Sequence, residues 1–305
     1  MLLTRLRKDL QFNGELLSLV DTLKNIAGSQ FHIMEKEKER FDRFMNAFST
    51  FFRVVNLAGI DDPFVNERSD VTGLVVVTSD SGFMGGLNQG VMRAGFAAVS
   101  ALPVERVALM VIGEKGASLL RDRQRPFKAF PGVTQDKDSL YERAGEVRSH
   151  IVDEVKAGRI GRVVVAYPRA LSFTAQTIET LTILPCGALF DVSAASEVAT
   201  RTPVGRFIAD AHKVVVESPP AEMLEYLASV WVGAKLFEVL EDSKLAEFSA
   251  RAMHLEGSVQ KVEKTHKKLK QMCFKASHER IDKGMREGFA AKSLKRKARK
   301  ATAAA

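Results

Sequence analysis

The residues best placed to do chemistry lie in Ser79-Asp80-Ser81-Gly82-Phe83-Met84-Gly85-Gly86-Leu87-Asn88, directly after the apolar run Leu74-Val75-Val76-Val77-Thr78. A buried strand that ends in a glycine-rich turn offers backbone N–H groups at a following helix N-terminus, and such groups attract phosphate. A P-loop needs Gly-x-x-x-x-Gly-Lys-Ser/Thr so that a lysine reaches the phosphates, and a dinucleotide fold needs Gly-x-Gly-x-x-Gly. Gly82, Gly85 and Gly86 match neither pattern, and no Lys or Arg follows before Arg93. The glycines are therefore expected to permit positive φ and close helix-to-strand packing, with Asp80 and Asn88 as turn and capping groups. Ser81 lacks the Gly-x-Ser-x-Gly setting of an activated nucleophile and has no evident His/Asp partner. His266 has no second metal ligand four residues on, and Cys186 and Cys273 stand far apart without a C-x-x-C or Cys/His pairing. The expectation is that the chain has no catalytic residue, no cofactor site and no metal site.

These residues belong to a chain of 305 amino acids, long enough for one large domain or two with a real core. Two cysteines suggest a reduced, intracellular protein. Met1-Leu2-Leu3 leads straight into Thr4-Arg5-Leu6-Arg7-Lys8-Asp9, which is not a secretory leader, and runs such as Val107 to Ile112 are far too short to span a bilayer. Membrane association is expected to be peripheral. The net charge is +8, yet Lys261 to Lys300 carries fifteen Lys/Arg against four Asp/Glu. Everything before Lys261 is slightly acidic, so the basic character that would attract polyanions belongs to one segment.

Three segments with different periods must position the candidate residues. From Phe12 to Val55 the apolar residues step by three and four through Leu16, Val20, Leu23, Ala27, Met34, Phe41, Phe44, Phe48 and Phe51, with Gln30 and Glu37 as polar interruptions. This is a heptad seam on one long helix. A loop is expected from Gly59 to Asp70. After it, Val/Ile-rich runs at Leu74 to Thr78, Arg106 to Ile112, Arg162 to Tyr167 and Thr177 to Leu184 alternate with helical patterns at Leu87 to Ala101, Lys115 to Asp122 and Ser139 to Lys156. Unalternated strands interleaved with helices predict a mainly parallel sheet covered on both faces. Ser218-Pro219-Pro220-Ala221-Glu222 then supplies a helix start. A second seam follows through Leu245, Phe248, Ala252, Leu255, Val259, Val262, His266, Leu269 and Cys273. On it His266 is expected to set register, as polar seam residues do.

The expected fold class is α/β, a Rossmann-like base at residues 70–216 carrying a long antiparallel coiled coil. Its helices are residues 1–58 and 219–292, with a basic tail at 293–305. The second seam stops at Cys273, so the end of the second helix is expected to project without its partner and to be enclosed by another protein.

With this architecture, four stretches resemble the gamma subunit of the F-type ATP synthase, the central-stalk rotor. Leu74 to Asn88 is similar to the family's strand, Asp-x-Gly-x-x-Gly-Gly-Leu-Asn turn and helix start. Val111-Ile112-Gly113-Glu114-Lys115-Gly116 resembles its second strand and Gly-x-Lys-Gly turn. Leu23-Lys24-Asn25-Ile26-Ala27-Gly28-Ser29 resembles Met-x-Met-Val-Ala-Ala-Ser. Glu247 to Met253 resembles Glu-x-x-x-Arg-Met, with Ala252 inserted before Met253. The resemblance implies a non-catalytic rotor, in a hetero-oligomer with the alpha and beta subunits of a catalytic hexamer, the epsilon subunit and a membrane ion-driven ring. It would sit peripherally at the cytoplasmic face of the bacterial inner membrane.

The same resemblance makes Lys24, Asn25, Gly85, Gly86, Leu87, Asn88, Ser277, His278, Arg280 and Lys283 subunit-interface candidates. Ser277, His278 and Gly284 stand where the family has Arg, Gln and Glu, and the basic tail Lys292 to Lys300 extends beyond the usual end. These departures mark a divergent or paralogous member. The rival readings are a coiled-coil protein that binds nucleic acid or an anionic surface, motivated by the tail, and a cofactor-binding α/β enzyme. Nucleic acid is the less expected partner, since no family match lies in the tail.

Overall fold

The computed structural model describes residues 2–54, 61–122, 124–134, 136–186 and 219–302. The side chains of the Phe41 to Phe52 stripe, Ser218 at the expected helix start and residues 187–216 of the expected base lie outside the described residues.

The first helix, α1, spans Leu2–Val54. No proline occurs before Pro63, so nothing in this stretch removes an amide from the helical ladder. The last helix, α5, spans Pro220–Thr302. It opens with proline in its first turn, where the missing N–H has no partner to lose, and Glu222 places a negative charge near the positive end of the helix dipole. No proline follows Pro220, and the helix continues ten residues past Lys292.

Between these helices lie β1 (Thr72–Val77), α2 (Leu87–Ala98), β2 (Val107–Ile112), α3 (Glu114–Arg121), β3 (Lys128–Phe130), α4 (Lys137–Lys156), β4 (Arg162–Ala170) and β5 (Gln176–Leu184). The sheet order is β3-β2-β1-β4-β5, with β1 at the centre. The pairs β1–β2, β1–β4 and β2–β3 are parallel, and β4–β5 is an antiparallel hairpin. Successive β1 side chains point to opposite faces. Leu74 and Val76 join Val91 and Met92 of α2 and Leu120 of α3, whereas Val75 and Val77 join Val147 and Ile151 of α4 and Leu224, Leu236 and Phe237 of α5. Every residue of β1 is buried, which is why the strand reads as an apolar run rather than an alternation. The three-residue β3 was too short to leave such a run.

Contacts divide the chain into two units, Met1–Asn25 with Leu255–Ala305, and Ile26–His254. In the first, α1 and α5 run antiparallel. Gly14 faces His266, whose ring carbon would lie 3.5 Å from an added Cβ, and Lys24 is 3.2 Å from Glu256. Ten residues forward on α1 correspond to ten residues backward on α5. The α5 seam is closed through Leu255 and Val259, which are buried, and half-open at Val262, His266, Leu269 and Cys273. On α1 the buried positions are Leu6 and Asn13, while Phe12 faces outward. The seam thus passes through Leu6 and, a heptad on, Asn13 rather than through Phe12, and it carries a polar residue.

In the second unit the sheet and the adjoining stretches of both long helices share one core. The β4–β5 hairpin is held by both helices. Phe173 packs edge-on to Phe31 of α1, centroids 5.2 Å apart, and stacks on His32 at 5.6 Å. Ser249 of α5 donates to the Phe173 carbonyl at 2.6 Å and is bonded to Gln176.

Candidate functional site

The glycine-rich turn after β1 is built around its own carboxylate. Asp80 Oδ1 accepts from the Glu114 N–H at 2.8 Å and the Gly132 N–H at 3.2 Å. Glu114 is the first residue of α3, so a side-chain anion sits where a helix N-terminus would receive a phosphate. A Cβ on Gly132 would lie 2.5 Å from that carboxylate. Nearby, Thr78 Oγ1 accepts from the Gly116 N–H at 2.9 Å and donates to the Ile112 carbonyl at 2.8 Å, tying β1 to the β2–α3 turn. Gly113 adopts φ 97° there, and a Cβ would fall 2.2 Å from the Thr78 carbonyl oxygen, so only glycine fits.

Asn88 acts as expected of a turn group. Its Oδ1 accepts from the Ser79 N–H at 3.1 Å and its Nδ2 donates to Ser79 Oγ at 2.8 Å, fixing the start of α2 to the end of β1. The glycines only partly follow expectation. Gly85 adopts φ 57°, but Gly86 is at −89° and neither Gly82 nor Gly86 has a neighbour that a Cβ would meet. Phe83 takes positive φ instead and is exposed. The close helix-to-strand approach falls to Gly95, where a Cβ would be 3.2 Å from Ala166 and Val76.

The cavity under this turn has a volume of ≈ 10 Å³ and is bounded on the far side by Ser243, Lys244 and Glu247 of α5. That is room for about one water and none for a nucleotide. Gly85 lies against His254 of α5, with 3.6 Å from an added Cβ to Nδ1. What the turn positions is therefore the long helix. A larger open hollow of ≈ 660 Å³ lies between α2, β2 and α3, lined by Met92, Phe96, Leu102 and Leu119 with Arg93 and Arg125. Among the described residues its lining has no carboxylate or histidine that could move a proton.

The segment of α5 beside the turn carries charges within an apolar stretch. Asp242 is 2% exposed and pairs with Lys38 of α1, with Arg169 of β4 at 3.6 Å. Glu247 is ion-paired with Lys244 at 3.0 Å and with Arg251 four residues on. The Glu-x-x-x-Arg spacing of Glu247 and Arg251 is thus a half-buried ion pair along one helix face. Residue counting did not single out Asp242 or Lys38. The available signal was the run Glu241-Asp242-Ser243-Lys244 set between Leu240 and Leu245, since charges inside an apolar helical stretch must find partners. Phe173, Gln176 and Ser249 left no such signal, because their meeting depends on the hairpin.

The ten interface candidates fall on α1, on the turn that opens α2 and on α5. Lys24 is engaged within the coiled coil, 2.7 Å from Asp21 and 3.2 Å from Glu256. Hydrogen bonding to these two acids raises the lysine's pKa, and Lys24 lowers that of Asp21. Glu256 is lowered first by Gln260 and then by Lys24. Asn25 is exposed and donates to Asp21. Gly85 and Gly86 are exposed, whereas Leu87 and Asn88 are half-buried. On distal α5, Ser277 is half-buried and His278, Arg280 and Lys283 are exposed. Among the described residues no group of three or more His, Cys, Asp or Glu could hold a metal, and no helix is long and apolar enough to cross a membrane.

The fold is an α/β sheet whose core is shared with stretches of two long helices, and the anion position at the start of α3 is taken by Asp80. A family model described as ATP synthase matches residues 3–287, and the chain belongs to that family. The ATP synthase gamma chain of Synechococcus sp. (strain ATCC 27144 / PCC 6301 / SAUG 1402/1) is 23% identical over 226 residues, covering 69% of this chain and 71% of its own. That of Anaeromyxobacter dehalogenans (strain 2CP-C) is 28% identical over 207 residues, covering 66% and 65%. Among solved structures, the fold is similar to a chain of the Euglena gracilis mitochondrial ATP synthase rotor in rotational state 1. The TM-score is 0.63 at 14% identity, over 92% of this chain and 98% of that one. A chain of the Tetrahymena thermophila mitochondrial ATP synthase central stalk and c-ring gives 0.55 at 18% identity, over 79% and 99%.

Proposed function

We propose that the chain is the rotor of an F-type ATP synthase or ATPase, carrying torque between a membrane ion-driven ring and the alpha/beta hexamer that makes or splits ATP. A central-stalk role follows from the family and from relatives that are gamma chains. The observation that carries the reading is in the first unit, where the large apolar side chains Ile281, Met285 and Phe289 are exposed on α5. On α1, Phe12 and Leu19 are also exposed. Water is a poor solvent for such faces, and a partner that encloses the helices would cover them.

In this reading the chain is non-catalytic. Its base turn is filled by Asp80, and its contribution is a stiff, asymmetric pair of helices presenting different faces to different catalytic subunits, which biases them toward different states. The β4–β5 hairpin, gripped by Phe31 on one helix and Ser249 on the other, supports the transfer of force from base to helices. Lys24 then serves as a clasp within the rotor, while Asn25, Gly85, Gly86, Leu87, Asn88, Ser277, His278, Arg280 and Lys283 remain proposed neighbours of other subunits, epsilon and the ring included. The complex would couple to protons or sodium ions and lie peripherally on the cytoplasmic face of a bacterial inner membrane. Affinity purification of the full chain from its native source tests this. Alpha, beta and epsilon subunits should accompany it in fixed proportion, and recovery without them, or with nucleic acid that resists high salt, would reject the rotor.

A further inference from the structure

The face of the sheet that carries α2 and α3 is incompletely closed. Its core of Leu74, Val76, Val91 and Leu120 is fully buried, but Phe96, Leu102, Val107 and Leu119 pack against that core and stay half-exposed. These four side chains line the hollow of ≈ 660 Å³, a size ordinary for small-molecule pockets, which hold about 300–1,000 Å³. Along α2 the hollow runs from Gln89 to Val99, about 15 Å at 1.5 Å per residue. That volume spread over that length leaves a mean cross-section of about 45 Å², roughly half that of an α-helix about 10 Å across. Two guanidinium groups border the slot. Arg125 lies over the Phe96 ring, 5.2 Å from its centroid, and Arg93 stands one turn before Phe96 on α2. Among the described residues neither has a carboxylate partner.

We propose that this slot is a binding site for a free fatty acid, its carboxylate held by Arg93 and Arg125 and its alkyl chain laid on Phe96, Leu102, Val107 and Leu119. The site is independent of the rotor reading. Shape and charge together select the occupant. A partner helix is too wide for the slot. An extended peptide would bring backbone N–H and C=O groups that the sheet has no free edge here to receive, because β2 is paired with β1 on one side and β3 on the other. A nucleotide or free phosphate would leave the apolar walls in water, and the anion position at the start of α3 is filled by Asp80. An alkyl chain needs no polar partner along its length, and two guanidinium groups supply charge-assisted hydrogen bonds to its single carboxylate. Once filled, the slot would brace α2 against α3 and complete the cover over this core.

The test uses the full chain and dodecanoate, titrated by calorimetry below the concentration at which it forms micelles. One equivalent should bind saturably, and each methylene added between octanoate and dodecanoate should tighten binding about fourfold. Arg93→Gln with Arg125→Gln, neither in the buried core, should weaken dodecanoate about tenfold or more by removing its charged donors, while the free chain unfolds at nearly the same temperature. Dodecanol, which has the same chain and no charge, should bind the parent about as weakly as dodecanoate binds the double variant. Dodecanoate with a photoreactive group at its far end should label peptides of α2, β2 or α3. Absence of saturable binding, equal affinity for dodecanol and dodecanoate, or equally tight binding of inorganic phosphate would overturn the proposal. So would labelling confined to the exposed Phe274, Ile281, Met285 and Phe289 of α5. Capture of the chain by phosphatidylglycerol vesicles in place of free dodecanoate would assign the acyl chain to a bilayer lipid and overturn it as well.

Discussion

Asp80 decides what the glycine-rich turn does. It supplies from within the chain the negative charge that a phosphate would otherwise bring, accepting from two backbone amides. Asp80→Ala should lower stability by about 1–2 kcal/mol, less than for a buried acceptor because the carboxylate is exposed, and create no nucleotide affinity. Thermal unfolding with and without millimolar ATP checks this, and ATP-dependent stabilisation of the variant would mean that the turn is a latent anion site. The two cysteines separate by environment. Burial pushes the Cys186 thiol up to about 12, whereas Cys273 is half-buried on the coiled coil. A raised thiol pKa favours the folded state below its ordinary value and loses that advantage as pH rises toward 12. At pH 8 an alkylating reagent should therefore modify Cys273 first and reach Cys186 only on unfolding. Peptide mass analysis over time reads the order.

At the scale of elements, the coiled coil carries a polar layer. Asn13 is buried with its Oδ1 unbonded, and His266, facing the next residue Gly14, has an unbonded Nδ1. A polar residue on an apolar seam fixes register at some cost in stability. Asn13→Leu with His266→Leu should raise the unfolding temperature while broadening the register. Cysteines at positions 24 and 256 would then cross-link less uniquely than in the parent. The Lys24 clasp gives a pH window. Asp21 and Glu256 are depressed, so their contribution is present above the ordinary carboxylate range and lost as pH falls through the folded values. Lys24 is raised, so its share is lost only on the alkaline side. Energy transfer between labels at Leu17 and Glu263 should be flat from about pH 5 to 10 and fall below about pH 4.

Much of this level was legible, because a seam such as Leu245-Phe248-Ala252-Leu255-Val259 records burial directly in residue spacing. Asn13 was not legible, since it interrupts the apolar pattern that reveals the others, and Phe12 beside it offered a false start. The projecting row Phe274, Ile281, Met285 and Phe289 was hidden for a related reason. It lies on a different face from the seam, which continues past Cys273 through Ala276, Arg280, Lys283 and Glu287.

At the scale of the whole molecule, the sheet shares its core with both long helices, and Phe12, Leu19, Ile281, Met285 and Phe289 of those helices are exposed. The Asp242 ion pairs with Lys38 and Arg169 and the grip of Ser249 on Phe173 bind the sheet to those helices, which is what a torque-bearing joint needs. Replacing Ser249 with Ala would leave the carbonyl of half-buried Phe173 without this donor, a loss of about 1 kcal/mol. If the hairpin carries force, the assembled complex should lose coupling between ATP hydrolysis and ion movement before it loses hydrolysis itself. Comparing the two rates in reconstituted vesicles tests that order.

The most direct measurement is of rotation. Phe83 is exposed on the base, so Phe83→Cys can carry a gold particle while the alpha/beta hexamer is fixed to glass. With ATP supplied, the particle should turn in one direction in equal steps set by the symmetry of the hexamer, and stop when ATP is removed. ATP hydrolysis at full rate by an assembled complex whose particle shows only random motion would contradict the rotor.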